Sequence, residues 1–272
     1  MPFDLEAWAP WAGQHALPIF GGLLALLLLT TTAAWWGVRR IHVPRDQSCL
    51  SPGLYLGVRL AAGFAVIMAG AWVFAELAEK LGTDGSMGRA DQALADSLRT
   101  HLPPAALQVF AMLTHLADTA TVAGVCILVA AMLVWRSRRW LALGWVLAVA
   151  GNGVLNTTLK QIFARVRPVH DDGLVMAQGF SFPSGHSSGS VVLYGMLAYV
   201  LCRFVPPRGH LPLVLAAVVL AFSVGVSRVF LRVHFASDVL AGFASGTAWL
   251  VVCIASIELT RWMYPQPEIY KK

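Results

Sequence analysis

The sequence predicts an all-α protein, a polytopic membrane helix bundle, and three observations support that fold class. Of its 272 residues, 57% are hydrophobic and only 12% are charged, about half the charged share of soluble domains. Seven stretches are long and apolar enough to cross a bilayer as helices. Basic residues gather in alternate connections between these stretches. The composition therefore excludes a soluble cytosolic enzyme, a disordered chain and, despite a net charge of +6, a nucleic-acid binder.

The seven predicted spans follow one another along the chain, each near the length of about 20 residues that a spanning helix requires. They cover residues 17–38, 55–78, 119–136, 140–160, 187–204, 211–229 and 237–258. This pattern divides the chain into three parts. Residues 1–53 form an N-terminal transmembrane helix with its loop, residues 54–260 a six-span membrane domain, and residues 261–272 a tail.

The segment between the second and third spans, residues 79–118, is less apolar than the spans themselves. Leu94, Leu98 and Leu102 recur at helical spacing beside charged residues, and Pro103 and Pro104 interrupt the pattern. Such spacing is typical of an amphipathic helix that lies in the membrane interface. A partly ordered loop that covers the bundle explains the composition equally well.

The basic residues predict the orientation of the bundle. They are concentrated after spans one, three and five and in the tail: Arg39, Arg40, Arg45, Arg136, Arg138, Arg139, Arg203, Arg208, Arg261, Lys271 and Lys272. Cytoplasmic loops of membrane proteins carry an excess of Lys and Arg. We therefore expect this side, with the C-terminus, to be cytoplasmic and the N-terminus to lie outside.

A second group of basic residues departs from this pattern, near the outer ends of spans four and six: Lys160, Arg165, Arg167, Arg228 and Arg232. Ionisable groups at a membrane boundary are candidates for function. Lys160 and Arg167 are two turns apart if the helix continues, so both are expected to face one pocket, and Pro168 then ends the helix. Asn152 and Asn156 extend a polar stripe along the same face. For Lys160 alone, snorkelling to the interface is the better explanation.

A second motif, residues 182–189 (FPSGHSSG), opens the predicted fifth span. The N-terminus of a helix presents free backbone N–H groups and the positive end of the helix dipole to an anion. Gly185 allows the backbone to approach a ligand closely. An ordinary helix cap would explain Ser184 and Gly185, but it does not explain His186.

A third motif runs from Ser227 to Asp238. His234 and Asp238 are one helical turn apart, so the carboxylate can accept one imidazole N–H and leave the other nitrogen as a nucleophile or base. Arg228 adds a planar donor fork that suits phosphate oxygens. A structural salt bridge is the alternative for the His–Asp pair alone. Together, the three motifs offer cations, a helix N-terminus, two histidines and one carboxylate, which suits phosphoryl transfer.

These motifs resemble the signatures of the type 2 phosphatidic acid phosphatase (PAP2) superfamily, K-x6-R-P, P-S-G-H and S-R-x5-H-x3-D. The matching residues are Lys160, Arg167 and Pro168, then Pro183 to His186, then Ser227, Arg228, His234 and Asp238. The resemblance covers about residues 55–258. It implies a six-helix PAP2-like core, to which the first span adds an extra N-terminal transmembrane helix.

The resemblance also implies a role for each matched residue. His234 would be the nucleophile that forms a phosphohistidine, oriented by Asp238, and His186 would be the general acid. The phosphate-binding residues would be Lys160, Arg167, Ser184, Gly185 and Arg228. No metal or other cofactor is expected. Family members work without one, and the sequence offers no carboxylate cluster for Mg²⁺ and no His/Cys set for zinc.

The function expected from the resemblance is hydrolysis of a lipid phosphate or pyrophosphate at the outer, periplasmic face of a bacterial inner membrane. Phosphatidic acid, phosphatidylglycerol phosphate, undecaprenyl pyrophosphate and a lipid A phosphate all fit. Membrane lipids and the lipid phosphate are the expected partners, and nucleic acid is not; the oligomeric state is open. A lipid phosphotransferase with a polyprenyl pyrophosphate donor is the alternative from the same chemistry.

Two other classes fit the sequence less well. A transporter predicts polar residues spread through the bundle and on both sides, whereas here they gather on one side. A lipid-binding scaffold needs the cations but not the two histidines and Asp238. The remaining polar residues of the outer side are expected to lie in solvated loops: His115, Asp118, Arg165, His170, Asp171, Asp172 and Arg232.

Overall fold

The computed structural model describes residues 5–41, 52–81, 85–168, 175 and 177–263. These residues form ten α-helices and two short 3-10 turns, and they contain no β-strand. The helices are α1 (Leu5–Gln14), α2 (Ala16–Ile41), α3 (Pro52–Lys80), α4 (Ser86–His101), α5 (Pro104–Thr114), α6 (Thr119–Trp135), α7 (Arg139–Phe163), α8 (Gly185–Leu201), α9 (His210–Phe230) and α10 (Ala236–Met263). The predicted all-α class is confirmed.

A helix occupies each of the seven predicted spans, namely α2, α3 and α6 to α10. Within the described ranges, five helices are long and apolar enough to cross a membrane: α2, α3, α7, α9 and α10. The number rises to six if residues 104–117 and 119–135, which meet at a bend of 44°, form one broken span. The predicted fifth span, α8, has only 17 residues, the lower end of the length that crosses a bilayer.

The short helix α8 lies at the centre of the bundle, packed between α7, α9 and α10. Its Leu193 and Met196 are fully buried together with Trp145 of α7 and Leu133 of α6. α3 packs against α10, and α2 packs against α9 on the outside of this group. Six helices (α3 and α6 to α10) thus form the core to which α2 is added, as predicted.

Two glycines of α10 allow α8 and α10 to cross closely. A Cβ atom on Gly242 would lie 2.6 Å from the carbonyl oxygen of Ser184, and one on Gly246 would lie 2.8 Å from Cα of Ser188. Small residues four apart are a common way to bring membrane helices together. As a result the start of α8 lies against the start of α10, where the Ser184 amide donates to the carbonyl oxygen of Asp238 at 2.9 Å.

The segment before α6 is helical, because α4, α5 and a 3-10 turn account for residues 86–117. The amphipathic helix is therefore confirmed over the loop alternative, with its break at Pro103 and Pro104 as predicted. Its position in the membrane interface stays a prediction. α4 buries Asp91 and Leu98 and packs against α1, a helix that the sequence patterns did not predict.

The two ends of the bundle differ in the groups that they carry. Arg39 at the end of α2 donates to the carbonyl oxygen of Pro207 between α8 and α9 at 3.5 Å, so both belong to one end. The α6–α7 connection and the end of α10 lie there too, with the described basic residues of the loop pattern. The three motifs lie at the opposite end, although the face of the membrane that each end occupies stays a prediction. Arg45, Lys271 and Lys272 lie outside the described residues.

Candidate active site

The first motif reaches the site through a break in α7. The helix ends at Phe163, because Ala164 adopts a left-handed conformation with φ of 43°. The helix therefore does not continue to Pro168, so the condition under which helical spacing would bring Lys160 and Arg167 together is not met. Lys160 and Arg167 nevertheless meet, since Nζ of Lys160 and Nη2 of Arg167 both donate to the carbonyl oxygen of Phe180.

His234 lies in the turn between α9 and α10 and is 3% exposed. Its Nδ1 lies 3.4 Å from Oδ2 of Asp238 and 3.3 Å from Oγ of Ser181, while Nε2 lies 2.9 Å from Nη1 of Arg167. A guanidinium can only donate, so Nε2 carries the lone pair and Nδ1 the proton. Burial lowers the pKa of His234, and the neighbouring Asp238 opposes that shift. The geometry thus presents a neutral imidazole with a nucleophilic Nε2.

Asp238, in the first turn of α10, is fully buried. Its Oδ1 accepts a hydrogen bond from Nη1 of Arg165 at 2.7 Å. Its Oδ2 accepts from the amide of Phe235 at 2.9 Å and from the hydroxyl of Ser181. A carboxylate surrounded by donors is favoured in its ionised form. Asp238 is therefore fixed as an acceptor beside Nδ1 of His234.

His186 lies in the first turn of α8 and points to a residue that was expected in a solvated loop. Its Nε2 lies 3.0 Å from Oδ1 of Asp118, whose Oδ2 lies 2.6 Å from Nδ1 of His115. Burial lowers the pKa of His186, Arg228 adds to that effect, and Asp118 raises it. The side chain of Asp118 is 40% exposed in the connection before α6, as the solvated-loop expectation implies, yet its carboxylate contacts the candidate general acid.

Arg228 is 2% exposed in the last turn of α9. Its Nη1 donates to Oγ1 of Thr114, which is buried at the end of α5, at 2.6 Å. Among the residues that the structure describes, its Nε is a buried nitrogen without a hydrogen-bond partner. A buried donor left unpaired costs about 1–3 kcal/mol. An anionic oxygen at this position would satisfy it.

The second motif forms the N-terminus of α8. Oγ of Ser184 accepts from the amide of Ser187 at 3.4 Å and from its hydroxyl at 2.9 Å. The capping alternative therefore explains the oxygen of Ser184, and the hydroxyl still has one proton to donate. The first backbone N–H groups of a helix have no acceptor within the helix, and they are the donors that bind anions at a helix N-terminus.

The polar stripe predicted on α7 is confirmed. Asn152 and Asn156 are buried, and each amide donates to Oγ of Ser188 at 3.4 Å. A Cβ atom on Gly185 would lie 2.8 Å from Oδ1 of Asn156. A side chain at this position would therefore displace the amide of Asn156 from its place between α7 and α8.

All eight predicted site residues lie at this end of the bundle: Lys160, Arg167, Ser184, Gly185, His186, Arg228, His234 and Asp238. Arg165 and Arg232 were expected in solvated loops, but Arg165 binds Asp238 and Arg232 is 5% exposed; for both, the expectation is wrong. Ser181 and Thr114 contact the site without any local sequence signal. His170, Asp171 and Asp172 lie outside the described residues.

The donor set of the site favours an anion. Within the described part of the chain, no group of three or more His, Cys, Asp and Glu side chains is placed to hold a metal ion. On the Nε2 side of His234 lies the guanidinium of Arg167, which shares the carbonyl oxygen of Phe180 with the ammonium group of Lys160. The fold and the site together define a class, the helical membrane proteins with a buried histidine beside a set of donors that suits an anion.

Comparisons with known proteins identify the family within this class. The model of the PAP2 superfamily matches residues 139–262. The chain is 35% identical over 159 residues to phosphatidylglycerophosphatase B of Bacillus subtilis, and the match covers 58% of this chain and 78% of that protein. This chain belongs to the PAP2 superfamily, as the resemblance of its motifs predicted.

Two further comparisons agree. The crystal structure of a transmembrane PAP2 type phosphatidylglycerolphosphate phosphatase from Bacillus subtilis superposes with a TM-score of 0.65 at 30% identity, covering 71% of this chain and 96% of that chain. Lipid A 1-phosphatase of Rhizobium johnstonii is 30% identical over 127 residues, which are 43% of this chain and 48% of that protein. The protein is thus an integral membrane protein whose named relatives are lipid phosphatases.

Proposed function

We propose that this protein removes the phosphate group from a membrane lipid through a phosphohistidine on His234. The observation that carries the proposal is the tautomer of His234, whose Nε2 lone pair is directed to Arg167 while Nδ1 lies beside Asp238. The unpaired Nε of Arg228 supports an anion at the same place.

In the first step, Nε2 of His234 attacks phosphorus and forms the N–P bond as the P–O bond to the lipid breaks. His186, in its protonated form, gives its proton to the departing lipid oxygen, which leaves as an alcohol. Lys160, Arg167 and Arg228 bind the phosphate oxygens and stabilise the charge that develops on them. The imidazole keeps its proton on Nδ1, so the phosphorylated ring is cationic.

In the second step, water attacks phosphorus and the N–P bond breaks. The electron pair returns to Nε2 of His234, and the now neutral His186 accepts the proton of the water. The products are the lipid alcohol and inorganic phosphate. With a lipid pyrophosphate, the leaving group of the first step is the lipid monophosphate.

The substrate that we propose first is phosphatidylglycerol phosphate, because the relative named for that activity is matched over 78% of its length. A lipid A phosphate comes second, given the shorter match to the Rhizobium protein. Phosphatidic acid and undecaprenyl pyrophosphate share the chemistry. We propose that the reaction takes place at the periplasmic face of a bacterial inner membrane, because the basic loops lie at the other end of the bundle.

The test is phosphate release by purified protein in detergent from each of these lipids. His234→Ala is expected to lower kcat by about 10⁴-fold or more, since no other group replaces the nucleophile. His210→Ala, at the other end of the bundle, is the matched control and should leave kcat unchanged. The wild-type protein should also be inhibited by vanadate, which adopts the geometry of pentavalent phosphorus.

Three outcomes would contradict parts of this proposal. Turnover retained by His234→Ala would exclude the phosphohistidine. Inhibition by EDTA that a divalent cation reverses would exclude the metal-free mechanism. Phosphate that appears on an added acceptor lipid, with little released to water, would identify the lipid phosphotransferase instead.

A further inference from the structure

A buried ion cluster joins α4 to the aspartate of the candidate active site. Nη1 of Arg165 lies 2.7 Å from Oδ1 of Asp238, and Nη2 of the same guanidinium lies 2.9 Å from Oδ2 of Asp91. The side chains of Arg165, Asp91 and Asp238 are 14%, 4% and 0% exposed. Arg165 is therefore a bridge between two buried carboxylates, one of which orients His234.

The guanidinium is held in a fixed plane between these carboxylates. The ring of Phe235 lies 4.3 Å from Cζ of Arg165, and Nη1 also donates to Oγ of Ser237 at 2.7 Å. The planar fork of an arginine matches such two-sided binding, which an ammonium group cannot reproduce. The position of Asp238 thus depends on where α4 holds Arg165.

Every group within hydrogen-bond distance of the Asp91 carboxylate donates to it. The amide of Ser237 donates to Oδ1 at 3.2 Å, and the hydroxyl of Ser237 and Nη2 of Arg165 donate to Oδ2. Burial raises the pKa of Asp91, and these donors oppose that shift. Donors on all sides favour the ionised carboxylate.

The charges of the cluster explain why a second carboxylate is present. Arg165 alone would cancel the charge of Asp238, and the Nδ1 side of a phosphorylated His234 would then face no net negative charge. With Asp91 ionised, the three groups together keep one negative charge. A negative charge beside Nδ1 favours the cationic form of the ring, so Asp91 permits Arg165 to orient Asp238 without neutralising it.

We propose that Asp91 and Arg165 are positioning residues for the phosphoryl-transfer step, and that they act through Asp238 on His234. The inference rests on the proposed function and assigns α4, outside the three motifs, a part in it. Neither residue belongs to the phosphate-binding set. They therefore affect the rate of the chemical step rather than the binding of the lipid phosphate.

The experiment measures kcat, KM and the inhibition constant of vanadate for Asp91→Asn, Arg165→Gln and the double variant on the best lipid phosphate. Each single variant is expected to lower kcat by about 10- to 100-fold, the usual cost of losing an outer partner of a site. KM and the vanadate constant are expected to stay within about twofold. The double variant restores one net negative charge, so its kcat should be at least that of Asp91→Asn alone.

Asp96→Asn provides the matched control, because Asp96 is an exposed aspartate on the same helix, and its side chain accepts a hydrogen bond from Gln92 on that helix. It should leave all three constants unchanged. Ser237→Ala, which removes one hydroxyl from the cluster, gives a second variant if Asp91→Asn lowers the thermal midpoint of unfolding. A several-fold loss of kcat at unchanged KM is expected for it.

Several results would overturn the inference. These are vanadate binding that weakens as much as kcat, losses that multiply in the double variant, or Asp91→Asn kinetics equal to those of Asp96→Asn. The failure of the proposed function is distinguishable from these results. In that case the wild-type protein releases no phosphate, or His234→Ala retains activity, whatever the Asp91 variants do.

Discussion

The two halves of the chain contribute to the candidate site in different ways. The C-terminal half, α7 to α10, carries every residue of the three motifs, and it is the part that the PAP2 family model matches. The N-terminal half carries none of them, yet three of its side chains bind C-terminal ones: Asp91 binds Arg165, Thr114 binds Arg228, and Asp118 binds His186. The candidate reacting groups thus all come from the C-terminal half, and the N-terminal half supplies further side chains that contact them or their neighbours.

This difference shows that the motifs alone do not determine the charge state of the site. Arg165 has an acceptor on α4 and Arg228 has one on α5. His186 has one in the residue before α6. Two of those acceptors are carboxylates, and an ion pair in a buried place changes the properties of its partner far more than one at the surface. Variants that change either a motif residue of the C-terminal half or its partner in the N-terminal half can therefore measure what each half contributes.

The largest effect of the variants that follow is expected for a C-terminal residue, His186. His186→Ala should lower kcat on a lipid phosphate by about 10²- to 10⁴-fold, because the departing lipid oxygen then receives no proton. On p-nitrophenyl phosphate, whose leaving group departs as a stable anion, the loss should be less than about tenfold. Steady-state phosphate release on both substrates measures the difference.

His101→Ala is the control for this variant, since His101 lies on α4 and is exposed. It should leave both rates unchanged. Equal losses of His186→Ala on the two substrates would show that His186 is not the general acid.

A smaller effect is expected for Asp118, which raises the pKa of His186. His186 must be protonated to act as an acid, so kcat falls as the pH rises past that pKa. Asp118→Asn removes the carboxylate and lowers the pKa, which moves this basic limb of the pH–rate profile to lower pH. Above the limb, kcat falls about tenfold for each unit of displacement.

The pH dependence of kcat for Asp118→Asn, measured beside the control Asp96→Asn, tests whether Asp118 sets the pKa of His186. The charged groups that act on the pKa of His186 are Arg228 and Arg167, which lower it, and Asp118, which raises it. If the basic limb of Asp118→Asn coincides with that of the wild-type protein, Asp118 does not control the acid, and the two halves are less coupled than their contacts indicate.

The smallest effect is expected for Thr114, which holds Arg228 by one hydrogen bond. Thr114→Val keeps the shape and removes the acceptor, at a cost of about 1 kcal/mol. Because Arg228 is proposed to bind phosphate, KM and the vanadate inhibition constant should rise about fivefold, with little change in kcat. Thr157→Val is the control, since Thr157 is exposed and binds only the carbonyl oxygen of Gly153 among its recorded contacts. Unchanged vanadate binding in Thr114→Val would show that Arg228 is positioned without it.

The part of the site that follows local rules could be predicted from the sequence. His234 and Asp238 are one turn apart, Ser184 begins a helix, and the asparagine stripe follows helical spacing. Each of these depends on neighbours within a few residues. The apolar lengths likewise predicted a helix at each of the seven spans, although α6 and the central α8 have only 17 residues each.

The rest depends on contacts between residues far apart in the sequence. The expectation that Lys160 and Arg167 face one pocket assumed that α7 continues. The chain leaves the helix at Ala164 instead, and Arg165 there is bound by α4 and α10. Tertiary ion pairs outweigh the helix preference at that point, since propensity differences are below about 1 kcal/mol per residue. No periodicity could pair Asp91 with Ser237, which is 146 positions away.

The close crossing at Gly242 has a consequence for how inactive variants are interpreted. Even a methyl group there would lie 2.6 Å from the carbonyl oxygen of Ser184, and that serine donates to the backbone of Asp238. Separation of the two helices would shift the second and third motifs relative to each other, with every polar side chain intact. A mutational scan scored by turnover would consequently flag a glycine that touches no phosphate, so loss of activity alone does not identify a residue that reacts.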